Sequence, residues 1–331
     1  MNYRKPLEME NMNKKIVVLI MAVSTFALAE SADKCQALAL KFKETKSVKV
    51  YTSSVKEIAQ CFMGENKYSE GFKWYLKTAE RGDTASQNVV ASMYYFGDGV
   101  EKDYTEAFAW FMKLAKKDNV EAQSKIGEMY YFGQGAKKNY ENAFKWYTKA
   151  AQKGHLYSQN KIARMYYDGE GVKKDRKVAF VRFEGLANMG YAEAESKMGE
   201  MYYFGGSVIK DYKKAFKWFF KAAEQDDSYA QSMIGNMYFK GEGVKQNDDE
   251  AFRWSYLAAK KDEAYSQAIV AKLYEEGRGI KKDRVRAYAW YSLASMNEVE
   301  SASEALEKLT NNMNVEEVKQ AEMLDVLKEE I

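Results

Sequence analysis

The chain has 331 residues, 46% hydrophobic and 15% aromatic, with a single Pro and a single His, so large rings must fill a core and little is left for histidine-based chemistry. Its 51 basic and 48 acidic residues give a formal charge of +3. That near balance argues against a nucleic-acid partner, which usually needs a strongly basic face.

Residues 1–29 read as a secretory signal peptide. Lys14-Lys15 precede an apolar run from Ile16 to Ala29, and the small pair Ala27 and Ala29 supplies an A-x-A ending before Glu30. The run has about 14 residues, whereas a spanning helix needs about 20. Met12 lies just before the basic pair, which makes residues 1–11 a candidate upstream extension. Cleavage after Ala29 removes Arg4, Lys5, Lys14 and Lys15 together with Glu8 and Glu10, and the formal charge falls from +3 to +1. The expected product is periplasmic or secreted, with no stable membrane insertion.

Residues 30–49 read as an N-terminal cap helix. Cys35 and Cys61, the only cysteines, fall at the start of the exported segment, where an even pair can oxidise. If Cys35 opens one short helix and Cys61 closes the next, an antiparallel arrangement brings them together. The resulting disulfide closes a loop of about 25 residues and contributes about 3 kcal/mol in the chain-entropy model.

From there the chain is periodic. Aligned on Ala143-Phe144, the same slot holds Gly71-Phe72, Ala107-Phe108, Ala179-Phe180, Ala215-Phe216, Ala251-Phe252 and Ala287-Tyr288, a constant step of 36 residues. Such a period predicts a solenoid whose units bury their apolar faces by stacking. Residues 50–83 are a degenerate first copy and 84–297 hold six regular ones. In each copy a first helix carries a stripe such as Ala122, Ile126, Gly127, Met129 and Tyr130. Tyr130 is expected to face the small Gly127 slot of a neighbour. The helix ends at a G-x-G pair, Gly133 and Gly135 in this copy, suited to left-handed closure and not to a phosphate loop, which would follow a strand. The fifth copy departs, with Gly205-Gly206-Ser207. A second helix starts at Asp103, Asn139, Asp175, Asp211, Asn247 or Asp283, with Glu106 and Glu250 set for capping boxes. The column Trp74, Trp110, Trp146, Trp218, Trp254 and Trp290, broken by Arg182, is expected to be core. Residues 298–331 leave the pattern and read as C-terminal capping helices. The fold class predicted is all-α, an αα-solenoid.

The pattern A-x3-(L/I)-G-x2-Y-x2-G-x-G-(V/A)-x2-(D/N)-x3-A-x2-W-x4-A resembles the Sel1-like repeat family, related to tetratricopeptide repeats. The resemblance implies a right-handed superhelix and, for exported bacterial members, adaptor or host-interaction roles. It also implies a rival reading, because the Helicobacter cysteine-rich proteins share this repeat and are described as penicillin-binding or β-lactamase proteins. Their paired cysteines within most repeats are missing here.

Catalytic residues are not assignable. The one histidine, His155, lies in a turn between copies, which leaves no Ser-His-Asp or Cys-His site. The β-lactamase alternative calls for S-x-x-K. Ser31/Lys34, Ser53/Lys56, Ser158/Lys161 and Ser207/Lys210 fit it, about as many as chance gives, and K-T-G is missing. The carboxylates are spread over solvent faces, so neither a metal nor a cofactor is expected. What remains is surface. If first helices line a concave wall, as the family implies, Tyr95, Lys125, Glu128, Tyr131, Lys161, Arg164, Tyr167, Lys197, Glu200 and Tyr203 face a protein or peptide partner. The competing reading makes these charges solvated and the Tyr rings padding for the core.

Overall fold

The computed structural model describes residues 35–40 and 48–324, and of 48–52 the backbone alone. The expected signal peptide, part of the expected N-terminal cap and the last seven residues lie outside the described residues. All secondary structure among the described residues is helical. The chain divides into two compact units, Met1–His155 and Leu156–Ile331.

In the first unit a helical turn at 35–40 is followed by α1 (Val48–Gly64), α2 (Tyr68–Glu80), α3 (Thr84–Phe96), α4 (Tyr104–Ala115), α5 (Val120–Phe132) and α6 (Tyr140–Gln152). The second holds α7 (Leu156–Asp168), α8 (Arg176–Asn188), α9 (Ala192–Phe204), α10 (Tyr212–Glu224), α11 (Ser228–Lys240), α12 (Asp248–Ala259), α13 (Ala264–Glu276), α14 (Arg284–Met296), α15 (Glu300–Thr310) and α16 (Val315–Met323). Within each unit the helices up to α14 each pack on their neighbours in the chain, and both α15 and α16 rest on α14. This is an all-α repeat solenoid built from helix pairs.

Each pair is closed by local chemistry. The side chains of Asp103, Asn139, Asp175, Asp211, Asn247 and Asp283 all accept hydrogen bonds from first-turn N–H groups, as expected of N-caps. The boxes expected at Glu106 and Glu250 do not form. The cap N–H such a box would satisfy is already donated to the preceding helix, from Asp103 to the Tyr94 carbonyl and from Asn247 to that of Tyr238. The reciprocal box occurs instead at Asn314 and Glu317. First helices carry their own caps, with Asp83, Asn119 and Asp227 accepting from Ser86, Ala122 and Ala230.

The two glycines of the turn act differently. Gly133 closes α5 in the left-handed region at φ 75°, while Gly135 lies flat against the Tyr104 carbonyl of the preceding copy, where a side chain has no room. In the fifth copy Gly205 adopts φ 78° and ψ −154°, so the turn does differ there.

Two expectations about rings need correction. The residue opposite Gly127 is Tyr147, one position after the Trp column, and a Cβ at 127 would come 2.8 Å from its ring. Phe219 stands in the same relation to Gly199. Tyr147, Phe183 and Phe219 are completely buried, whereas Trp74, Trp146 and Trp218 are only partly so. Trp110, Trp254 and Trp290 do join the core. The Tyr130 ring instead meets Phe108 of the preceding copy edge-on at 5.2 Å, and Tyr94 with Phe72, Tyr238 with Phe216 and Tyr274 with Phe252 repeat that contact. Phe72, Phe108, Phe216 and Phe252 thus each join one copy to the next by an aromatic contact of favoured geometry.

Candidate functional site

The residues singled out in the sequence are brought together as a ladder between copies. The Tyr95 hydroxyl donates to Gln134 Oε1 at 2.8 Å and lies 3.3 Å from Glu128. Lys125 pairs with Glu128 at 2.9 Å and caps the Tyr95 ring at 4.7 Å from its centroid. Burial first, and the Glu128 charge after it, push the Tyr95 phenol up to about 12. The pattern recurs in the second unit, where Lys197 lies 4.2 Å from the Tyr167 centroid and pairs with Glu200 at 2.7 Å. Tyr203 donates to Glu242, accepts from Asn236, and is held well above its ordinary range by burial and by Glu242.

Tyr95 and Tyr203 therefore do not face a partner. Both are buried, because the next copy's first helix and turn close over them. Lys125, Glu128, Tyr131, Lys161, Tyr167, Lys197 and Glu200 are half-buried, with Tyr131 edge-on to Tyr140 and Lys161 over Tyr157. Arg164 alone of the ten is exposed, and it pairs with Glu193 at 3.0 Å.

Three of the ten line a common cleft of about 410 Å³ in the second unit. Arg164 comes from α7, Lys197 and Glu200 from α9, and the far wall is Tyr229 near the start of α11 beside its cap Asp227. The cleft thus runs across the first helices of three successive copies. Two rings open into it: Phe204 is 61% exposed and Tyr229 38%. Desolvation and the nearby Glu200, Glu263 and Asp227 charges raise the Tyr229 phenol to about 12.

Phe204 was missed by the sequence reading, yet its signal was present. Phe96 and Phe132 occupy the same slot, the last residue of a first helix, and are 63% and 55% exposed. Each of the three rings packs edge-on against the Tyr before it, Tyr95, Tyr131 and Tyr203, and leaves its outer side open to solvent.

Cys35 and Cys61 are neighbours with Cα atoms 5.8 Å apart, a spacing a disulfide spans. Together with Val55, Ile58 and Phe62 they form the core under the first copy. Of the S-x-x-K matches, Ser31/Lys34 lies outside the described residues. Lys56 is held by Asp83 at 2.8 Å, Ser158 is fully buried, and Lys210 donates to the Tyr212 hydroxyl. His155 meets Glu121 at 3.2 Å.

Stacked helix pairs, a cleft floored by exposed rings and polar contacts spent on joining copies define a repeat scaffold. The Sel1 repeat model matches residues 59–83, 84–119, 120–155, 156–181, 192–227, 228–263 and 264–298, and the chain belongs to the Sel1 repeat family. The fourth match stops at 181, next to Arg182 in the Trp column. Among solved structures, a Sel1 repeat protein from Oxalobacter formigenes is 30% identical, with a TM-score of 0.67 over 73% of this chain and 99% of that one. A protective antigen of uropathogenic Escherichia coli displaying an SLR fold is 25% identical, with a TM-score of 0.42 over 87% of this chain and 78% of its own. An immunity protein from Pseudomonas aeruginosa is 20% identical, with a TM-score of 0.42 over 61% and 81%. None of the curated proteins matches the sequence. Sel1 repeat proteins generally serve as protein-interaction scaffolds.

Proposed function

We propose that this protein is exported and acts, without catalysing a reaction, as a scaffold that binds a partner polypeptide along a concave wall of first helices. The observation that carries the reading is the cleft of Arg164, Lys197, Glu200, Phe204 and Tyr229, where exposed rings lie among paired charges. Aromatic and Arg side chains are the usual anchors of protein interfaces. The ladder below it holds the cleft residues in place, so binding costs little ordering of side chains. Export is supported by the apolar run before Glu30, and a Cys35–Cys61 disulfide by their 5.8 Å Cα spacing. The cell compartment is accordingly the periplasm or the exterior.

Capture from envelope extract with immobilised protein tests the surface. The double variant Phe204→Ser with Arg164→Ala is expected to lose at least about tenfold of the wild-type yield of a specific partner, since each anchor contributes on the order of 1–2 kcal/mol. Undiminished capture by a variant that keeps the wild-type circular dichroism would remove the cleft from the account.

A further inference from the structure

The fifth copy breaks the repeat at one more place than its turn. In the slot two residues before the second-helix cap the other regular copies carry Glu101, Lys137, Lys173, Lys245 and Lys281, all charged, whereas the fifth carries Ile209. Ile209 is 91% exposed, so core packing does not account for it. Gly205 and Gly206, both at positive φ, form the altered turn that leads to it.

The surroundings of Ile209 are basic. The stretches KKDRK at 173–177 and KDYKK at 210–214 start the second helices of successive copies, and Asp175 and Asp211 within them serve as N-caps. The altered turn of the fifth copy comes up to the first stretch, with Arg176 Nη1 3.3 Å from where a Cβ on Gly206 would be, and Lys214 sits over Tyr202, whose ring contacts Phe180 of α8. Among the described residues Lys173, Lys174, Lys177 and Lys213 make no ion pair, and Lys214 makes only a long one of 3.9 Å to Asp211. One helical turn beyond Lys177 on the same face is Val181, 65% exposed. In a chain whose overall charge is only +3, these lysines, nearly all without an ion pair, flank two exposed aliphatic side chains along the chain.

We infer that this edge of the fourth and fifth copies binds the surface of an anionic phospholipid bilayer. Lysines and arginines beside a negatively charged leaflet each add attraction that salt screens within about 10 Å, while an aliphatic side chain enters the boundary between headgroups and acyl chains. An acidic protein partner would match the cations but would need its own pocket for Ile209. A bilayer surface accepts a protruding side chain anywhere on it, and so fits the whole patch. The contact is peripheral, and no described helix is long and apolar enough to cross a membrane. It stands independently of the cleft.

The test is partitioning of the full chain onto vesicles of phosphatidylcholine alone and of phosphatidylcholine with about one third phosphatidylglycerol. The readout is the ratio of the two, and because Arg4, Lys5, Lys14 and Lys15 beside the apolar 16–29 stretch also raise it, each variant is compared with the wild type in the same full chain. The wild type is expected to prefer anionic vesicles and to lose that preference in high salt. The triple variant Lys177→Gln, Lys213→Gln, Lys214→Gln should lower the ratio by about a hundredfold, Ile209→Ser should weaken anionic binding several-fold, and the control Lys281→Gln should change neither. A wild-type ratio near one, or a triple variant that keeps the ratio with an unchanged melting profile, would overturn the proposal. So would binding to polyglutamate without binding to anionic vesicles, which would transfer the patch to an acidic protein.

Discussion

Glu195 stands where the other regular copies hold Gln87, Gln123, Gln159, Gln231 and Gln267. Gln87, Gln123, Gln231 and Gln267 donate from Nε2 to the carbonyl of the alanine near the end of the preceding helix, at 3.0 to 3.3 Å. A carboxylate cannot donate, and Glu195 accepts instead from Gln225 at 2.6 Å. It is buried, and desolvation raises its pKa above the ordinary 4.5, against the opposing pull of Lys221 and Gln225. Below 4.5 the carboxyl is neutral whether the chain is folded or not. Above it the folded state holds the proton longer, so stability is lost as the pH rises through the raised value. Glu195→Gln is therefore expected to stabilise the protein at neutral pH by about 1 kcal/mol and to flatten the pH dependence between weakly acid and neutral solution. Urea midpoints across that range provide the check, and an unchanged or lower midpoint at neutral pH would contradict the assignment. The periodic Gln slot was present in the sequence. Its role was not legible there, because the acceptor is a backbone carbonyl eight residues away around a turn.

At the scale of the helix, what could be read in the sequence divides along how local the cause is. The 36-residue step, the capping residues and the glycine closures were legible because each depends on a few adjacent residues. The identity of the central ring was not. Trp146 and Tyr147 are consecutive on one apolar stripe, and helical periodicity cannot say which of them meets Gly127, 20 residues earlier on another helix. The structure assigns Tyr147 to the core and leaves Trp146 half-buried under Lys149, 4.0 Å from its ring centroid. Tyr147→Ala should cost about 3–5 kcal/mol through the cavity it opens. Trp146→Ala should cost less than half as much, although it removes the larger side chain. Equal losses in paired unfolding measurements would restore the tryptophan column as the core. The ladder was half legible for the same reason. Its residues were identified, but their pairing with the next copy, as of Tyr95 with Glu128, depends on stacking that no single copy encodes.

Over the whole chain, the most repetitive slots are occupied by packing, capping and turn formation, and the variable ones carry what distinguishes this scaffold. Arg164 is exposed in a slot that holds Ser92, Glu128, Glu200, Asn236 and Lys272 in the other regular copies, and Ile209 is exposed where those copies place a charge. Recognition in a repeat protein comes from such departures, since the uniform positions are the same in every copy. The decisive measurement is site-specific photo-crosslinking in cells that produce the protein, with the photoreactive residue at Phe204 in the cleft or at Leu257, which is exposed on the second helix α12. One discrete protein adduct is expected from position 204, diminished when Arg164→Ala is added, and no such adduct from position 257. The same adduct from both positions, or none from 204, would contradict the claim that the first-helix wall receives a partner.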